Sequence, residues 1–279
     1  MNKTPRLSKS GIEYLDYVWN FYSGCLHKKM GICPVDNCWA EGIVNRFGDH
    51  YPNGFEPTYY PEAFLSPLYL KKPSIIGCAF MGDLFGDWVD PDKKFHSTMP
   101  SGKASITMSL RGWIFTTIKQ CPQHTFLFLT KNPKQLVNWG NFPDNCWVGV
   151  SATAPSQYIA ALAGLSEVKC GKKFISFEPL LYQVMMGEGL KNVDWVIIGL
   201  QTPFSPKTAP KIEWITEIVE ACDKVKVPVF LKNNLYPLLI LRDGVEKFWI
   251  IDGDKGHLRQ ELPATLLFGV TLNKGDGAK

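Results

Sequence analysis

Residues 124–151 read HTFLFLTKNPKQLVNWGNFPDNCWVGVS. Two continuously apolar, β-rich runs, 124–130 and 146–151, flank a stretch, 133–140, with the character of a helix. Strands buried on both faces are apolar without alternation, which is the pattern of a parallel sheet covered by helices. Working outward, the same kind of run recurs at 17–22, 74–80, 173–177, 195–199 and 227–232, and more weakly at 248–251. Helices are expected at 156–165 and 211–225. In the second, Ile212, Trp214, Ile215, Ile218, Val219 and Cys222 form an apolar stripe at helical spacing. Repeated strand–helix–strand units make an α/β fold, either a wound sheet or a βα barrel. Seven or eight strands without a Gly-rich dinucleotide fingerprint favour a partial or complete parallel βα (TIM-like) barrel, one domain over residues 1–279.

Composition bounds the rest. The chain has 279 residues, 45% hydrophobic and 20% charged, an ordinary globular mix with room for one large core. No apolar run approaches the roughly 20 residues of a membrane helix. The basic start, MNKTPRLSKSG, has no apolar segment behind it, so a cytoplasmic rather than a secreted protein is expected. A net charge of +4 allows a nucleic-acid partner without arguing for one. Two stretches interrupt the rhythm. Residues 53–73, rich in proline and aromatics, read as an ordered loop with short turns. Residues 96–111 read as an insertion or lid. The tail after Thr271 reads as frayed.

Eight cysteines without an export signal are thiols or metal ligands rather than a disulfide framework. Five are scattered. Cys25, Cys33 and Cys38 are crowded with spacing C-x7-C-x4-C, directly after the first expected strand and before a probable helix at 39–47. In a βα barrel that is where chemistry sits. Three thiolates on a [4Fe–4S] cluster leave one iron open to a substrate or cofactor. Lys28 and Lys29 are placed to offset the charge, and Gly31 and Pro34 help the loop bend. Spacing alone equally allows three unligated thiols, or a closed Cys3His zinc site with His27 as fourth ligand.

The chain resembles the phage-associated three-Cys-motif family of radical S-adenosylmethionine-like proteins, distantly similar to spore photoproduct lyase. The matching segments run in order over most of the chain. They are SGC…C…NCWAE, FMGDLFGDWV at 80–89, HTFLFLTKNP at 124–133, PDNCWVGVS at 143–151, KFISFEPLL at 173–181, DWVIIG at 194–199 and VPVFLKN at 227–233. Two departures stand out. The superfamily signature is usually C-x3-C-x2-C, and Gly199-Leu200-Gln201-Thr202 stands where relatives often carry Gly-Gly-Glu-Ser. The resemblance implies a [4Fe–4S] cluster on Cys25, Cys33 and Cys38, S-adenosyl-L-methionine as second cofactor, and a reducing electron donor. It implies reductive cleavage of that cofactor to a 5′-deoxyadenosyl radical, which abstracts hydrogen from a substrate. By analogy, the substrate is a nucleoside or a nucleic-acid base.

Other candidates fall at expected strand ends. The resemblance places Gly82 and Asp83 against the cofactor's amino group. Gly82 permits close backbone approach and Asp83 can accept from an ammonium, although a helix-capping turn has the same look. Ser151 stands where relatives contact a ribose and where a helix cap would also stand. Glu178, Lys131 and Lys232 belong to the expected substrate mouth. Two cations there suit an anionic ligand, and an ion pair from Glu178 to either lysine is the structural alternative. Asp83, Asp87, Asp90 and Asp92 read as loop and caps rather than a cation site. Of the nine tryptophans most read as core, including Trp195 and Trp214, with Trp39 and Trp88 nearer the mouth. His124 reads as structural. Two rival readings keep their place: a zinc-stabilised nucleic-acid-binding protein without catalysis, and a cluster that is structural or relays electrons.

Overall fold

The structure, a computed structural model, describes residues 4–98, 105–187, 189–239, 246–252 and 255–264. Its centre is an eight-stranded sheet: β1 (Leu7–Lys9), β2 (Tyr17–Trp19), β3 (Ile75–Cys78), β4 (Thr125–Thr130), β5 (Cys146–Ser151), β6 (Lys172–Phe177), β7 (Trp195–Ile198) and β8 (Val229–Leu231). The spatial order is the chain order, β1 through β8, with no reversal. β1 runs antiparallel to β2, and every later pair is parallel. A doubly wound sheet would reverse its order at a switch point; this one winds in a single direction. The crossovers carry α1 (Trp39–Arg46), α2 (Leu110–Lys119), α3 (Pro155–Ser166) and α4 (Ile212–Val225).

The sheet is strongly curled. Laid flat, β2 and β8 would be six spacings apart, roughly 29 Å at about 4.8 Å each. Yet the ring of Tyr14, just before β2, lies 5.4 Å from that of Phe230 in β8. Alternation along each strand then sorts residues to two faces. Phe126, Phe128, Val148, Val150, Ile175, Val196 and Val229 pack outward with the helices. Leu127, Trp147, Phe174, Trp195 and Phe230 point to the concave side with Tyr14, Leu15, Ile75 and Ile197. Trp195 is the hub, its ring 5.4–6.0 Å from those of Tyr14, Trp147, Phe174 and Phe230. Gly149 is required here: a Cβ on it would stand 2.2 Å from the Phe174 ring.

Local chemistry sets the helix ends. Ser109 Oγ accepts from Gly112 N at 3.0 Å to start α2. α4 buries Ile215, Ile218, Val219 and Cys222, the core of the expected stripe, and stops at Lys226 in a left-handed conformation (φ 59°). The expected strands hold within a few residues, except at the two ends of the set. Residues 17–22 divide between β2 and a short ladder pairing Tyr22–Ser23 with Thr58–Tyr59. The weak run at 248–251 lies outside the central sheet: Trp249–Asp252 pairs with Lys255–Leu258 as a separate hairpin. The eighth strand is the N-terminal Leu7–Lys9, too short and polar to stand out as apolar. Of the stretch 96–111, the described residues belong to an antiparallel hairpin, Lys94–Thr98 with Ser105–Ser109, and to the first turn of α2. Residues 99–104 and the tail after Thr271 lie outside the described residues.

Candidate functional site

The cysteine loop is fixed by backbone contacts. Gly24, with φ +94°, donates its N–H to Met81 O at 3.0 Å and forms a parallel bridge with Gly82. A Cβ at Gly82 would stand 2.3 Å from Gly24 O, and one at Gly24 would stand 2.3 Å from Glu56 O. The close approach expected of Gly82 is thus made by the neighbouring loop. Cys25 N donates to Phe55 O at 3.2 Å. The chain then turns through Gly31 (φ +69°) and returns, with Ile32 N and Cys33 N both donating to His27 O. Cys38 is the residue before α1, and its carbonyl accepts from Gly42 N at 3.0 Å. Cys38 thus stands at the start of α1, beside the unpaired backbone N–H groups of its first turn.

All three thiols are free and half-buried. Burial pushes Cys25 up to about 12, with Asp83, Cys33 and Cys38 adding to the rise and the His27 backbone N–H opposing it. Cys25 therefore lies close enough to Asp83 and the other two cysteines for them to weigh against its ionisation. A bound metal centre is what would hold such a thiol deprotonated.

Cys25, Cys33, Cys38, Gly82, Asp83, Lys131, Ser151, Glu178 and Lys232 all line one cavity of about 370 Å³. All nine residues singled out in the sequence thus meet in one place. The cavity opens at the carboxyl ends of the parallel strands. Lys131, Ser151, Glu178 and Lys232 each sit one residue past or at the end of β4, β5, β6 and β8. Each also follows a concave-side residue of its own strand by two or four positions: Leu127, Trp147, Phe174 and Phe230. The alternation that builds the apolar plug therefore carries polar groups to the next level above it.

Charges around the cavity divide into engaged and free. Asp83, 5% exposed, accepts from Phe85 N (2.9 Å), Thr130 Oγ1 (2.8 and 2.9 Å) and Lys131 N (2.9 Å). It both caps its own turn and ties β3 to β4. His27, 1% exposed, has Nδ1 3.4 Å from Asp83 Oδ2, while neither ring nitrogen makes a hydrogen bond. Burial lowers its pKa, against the pull of Asp83. Its ring packs edge-on against Trp88 at 4.9 Å, and Trp88 Nε1 donates to Tyr22 Oη. Lys232 donates to Glu178 and lies 3.7 Å from Glu13 Oε2. Of the two lysines Glu178 might have bridged, it takes Lys232. Gly199 leaves room for that pair, since a Cβ there would lie 3.1 Å from Lys232 Cδ and 3.2 Å from Glu178 Cγ. Tyr14, buried beside Glu178 and Glu13, has its pKa raised, first by desolvation and then by the two carboxylates.

Ser151 does not cap α3, which starts after Ala154. Among the described residues, the side chains of Lys131, Ser151 and Gln201 line the cavity with no hydrogen-bond or ion-pair partner. The acidic stretch beyond Asp83 is structural, as expected. Asp87 accepts from Asn132, Gln135 and Lys134, which hold it down at about 2. Asp90 accepts from Asp92 N, and Asp92 pairs with Arg111. His124 is structural too, its Nε2 donating to Leu70 O at 2.9 Å.

Three thiols and the His27 imidazole are among the residues that line the cavity. The arrangement does not present a ready single-ion site: among the described residues, no three or more His, Cys, Asp or Glu side chains are grouped to hold a metal ion. No helix among them is long and apolar enough to cross a membrane. Sequence reasoning missed Glu13 and Tyr14 at this site. They stand before the first apolar run in an unremarkable stretch, and only the curl of the sheet brings them to β8.

A family model described as "Protein of unknown function (DUF5131)" matches residues 9–235, from the last residue of β1 through β8 and the turn beyond it. No curated protein and no solved structure matches the chain.

Proposed function

The chain belongs to the DUF5131 family of proteins of unknown function, and we propose that it is an iron–sulfur enzyme of the radical S-adenosylmethionine type, built on a partial or complete TIM-like barrel. One observation carries the reading. Three clustered cysteines and six polar or glycine positions, chosen from sequence at separate strand ends, line a single cavity.

In this reading Cys25, Cys33 and Cys38 hold a [4Fe–4S] cluster. Ser151, whose side chain has no partner among the described residues, would contact S-adenosyl-L-methionine, while Gly82 and Asp83, taken up by Gly24 and by Phe85, Thr130 and Lys131, would hold its wall of the cavity in place. When bound, the two groups supply one-electron cleavage of a carbon–sulfur bond and hydrogen abstraction from substrate. The protein's own residues bind, orient and exclude water. Cys38 presents its sulfur at the start of α1, and Gly24 and Gly82 lock the loop to β3. Asp83 holds the Lys131 backbone in place, and Lys131 offers an unpaired ammonium to an anionic group. The Lys232–Glu178 pair also lines the cavity. His27, whose Nδ1 faces Asp83, is then a packing partner of Trp88 rather than a ligand. The chemistry calls for a reducing electron donor and a reducing compartment such as the cytoplasm. A nucleoside or nucleic-acid base is the proposed substrate class.

The test is anaerobic purification followed by iron, sulfide and zinc analysis with a visible spectrum, repeated on Cys33→Ala. The expected result is about four irons and four sulfides per chain and broad visible absorption that Cys33→Ala abolishes, followed by reductive cleavage of S-adenosylmethionine. One zinc per chain and no iron after anaerobic reconstitution overturns the proposal in favour of a zinc-stabilised binding protein.

A further inference from the structure

Trp39 and Trp88 both stand close to the cysteine loop, and the structure separates them. Trp88 is engaged: its indole N–H bonds to Tyr22, its ring packs against His27, and it lies so close over Gly86 that a Cβ there would stand 2.2 Å from the ring. Trp39 is not. It lines the cavity, directly follows Cys38 as the first residue of α1, and is 48% exposed. Among the described residues its indole N–H has no partner. Met30 and Phe47, on the same loop and at the far end of the same helix, are also about half exposed (50% and 46%). Of the three only Trp39 lines the cavity, so its half-exposed indole is the one available to a ligand there.

The charge on the cavity wall says what kind of ligand meets it. Glu178 is engaged by Lys232, and Asp83 by three donors. Lys131 has no acceptor among the described residues. The group offered to a ligand is therefore an ammonium, and the face offered beside the cluster loop is an indole. A flat ring on an anionic backbone satisfies both.

We propose that Trp39 and Lys131 form a subsite for one nucleotide of a single-stranded nucleic acid, the base stacked on Trp39 and a phosphate met by Lys131. As a statement of substrate class this rests on the enzyme reading above; as a statement of binding it stands on the two side chains. A single strand is specified because a base must be unstacked to lie on an indole.

The experiment follows fluorescence anisotropy of a labelled oligothymidine with the full-length protein. Wild type is expected to bind, Trp39→Ala about tenfold more weakly, and Trp39→Phe nearly as well as wild type. Lys131→Gln is expected to lower the slope of log affinity against log salt by about one. Saturating S-adenosylmethionine is expected not to compete. Absence of binding, equal binding by Trp39→Ala, or preference for a labelled acidic peptide overturns the proposal. Competition by S-adenosylmethionine does so as well, because it assigns Trp39 to the cofactor's own base. Iron analysis of the same samples keeps the two questions apart. A zinc protein that binds the oligomer through Trp39 sinks the enzyme reading alone. A four-iron protein that ignores the oligomer sinks this proposal alone.

Discussion

Gly24 and Gly82 touch through their backbones in a parallel bridge: a side chain on Gly82 would strike Gly24, and one on Gly24 would strike Glu56. This contact, with the Gly24 N–H bonded to Met81 O, sets the height of Cys25 above the sheet. Gly82→Ala forces a methyl against a carbonyl oxygen that cannot rotate away. A loss of about 1–3 kcal/mol is expected, together with faster reaction of Cys25 with a thiol reagent as the loop lifts. Urea unfolding and thiol titration measure both. An unchanged midpoint with unchanged thiol kinetics would show that the loop is held by something else.

Asp83 receives three kinds of donor at 5% exposure. Asp83→Ala strands Phe85 N, Lys131 N and the Thr130 hydroxyl in a buried setting, where each unsatisfied group costs about 1–3 kcal/mol. Asp83→Asn retains one acceptor oxygen but turns an NH2 toward donors. The expected order of stability in urea is wild type, then Asn, then Ala. Equal stability of all three refutes the assignment of Asp83 as the tie between β3 and β4.

Lys232 stands between Glu178 and Glu13, with its side chain 13% exposed. Lys232→Met leaves two carboxylates facing each other beside Tyr14. A loss of about 3 kcal/mol is expected. The double change Lys232→Met with Glu178→Gln should recover a good part of it, since one of the two unpaired charges is gone. A double-mutant cycle in urea gives the coupling; strict additivity would mean that the pair does not interact.

Burial holds the His124 imidazole below its usual pKa, and the His27 imidazole likewise. The folded protein therefore takes up protons less readily than the unfolded chain, whose histidines titrate near 6.5. Their full contribution is present above about pH 6.5 and is lost as the pH falls from there toward the lower folded values. Unfolding free energy should decline as the pH falls below about 6.5. His124→Gln, which retains a donor for Leu70 O, should flatten that decline. A slope unchanged in this variant would assign the pH dependence elsewhere.

The sheet was legible because its strands are apolar on both faces, as in 125–130 and 195–198, where burial leaves no polar alternate residues. β1 was not, because Leu7–Lys9 is an edge strand with two exposed residues, and what defines it is pairing with β2 rather than any pattern of its own. The site residues were legible where chemistry and position coincide: a thiol after β2, or a charged residue one step past an apolar run. The partners of those residues were not. Nothing in the sequence near Glu13 points to Lys232, because their contact is made by the curl of the sheet. Nor does the sequence distinguish Trp39 from Trp88; only the packing of Gly86 and Tyr22 against Trp88 does so.

The alternation that puts Leu127 below Lys131, Trp147 below Ser151 and Phe174 below Glu178 has a consequence for how such a protein can change. Packing is written on one rung of each strand and the cavity lining on a rung above. On the proposed reading, drift at the upper rung would re-specify the ligand while the aromatic plug around Trp195 stays as it is. A lineage could then explore new ligands on this scaffold one strand end at a time, with the cysteine loop and the Gly24–Gly82 contact as the part that has to stay.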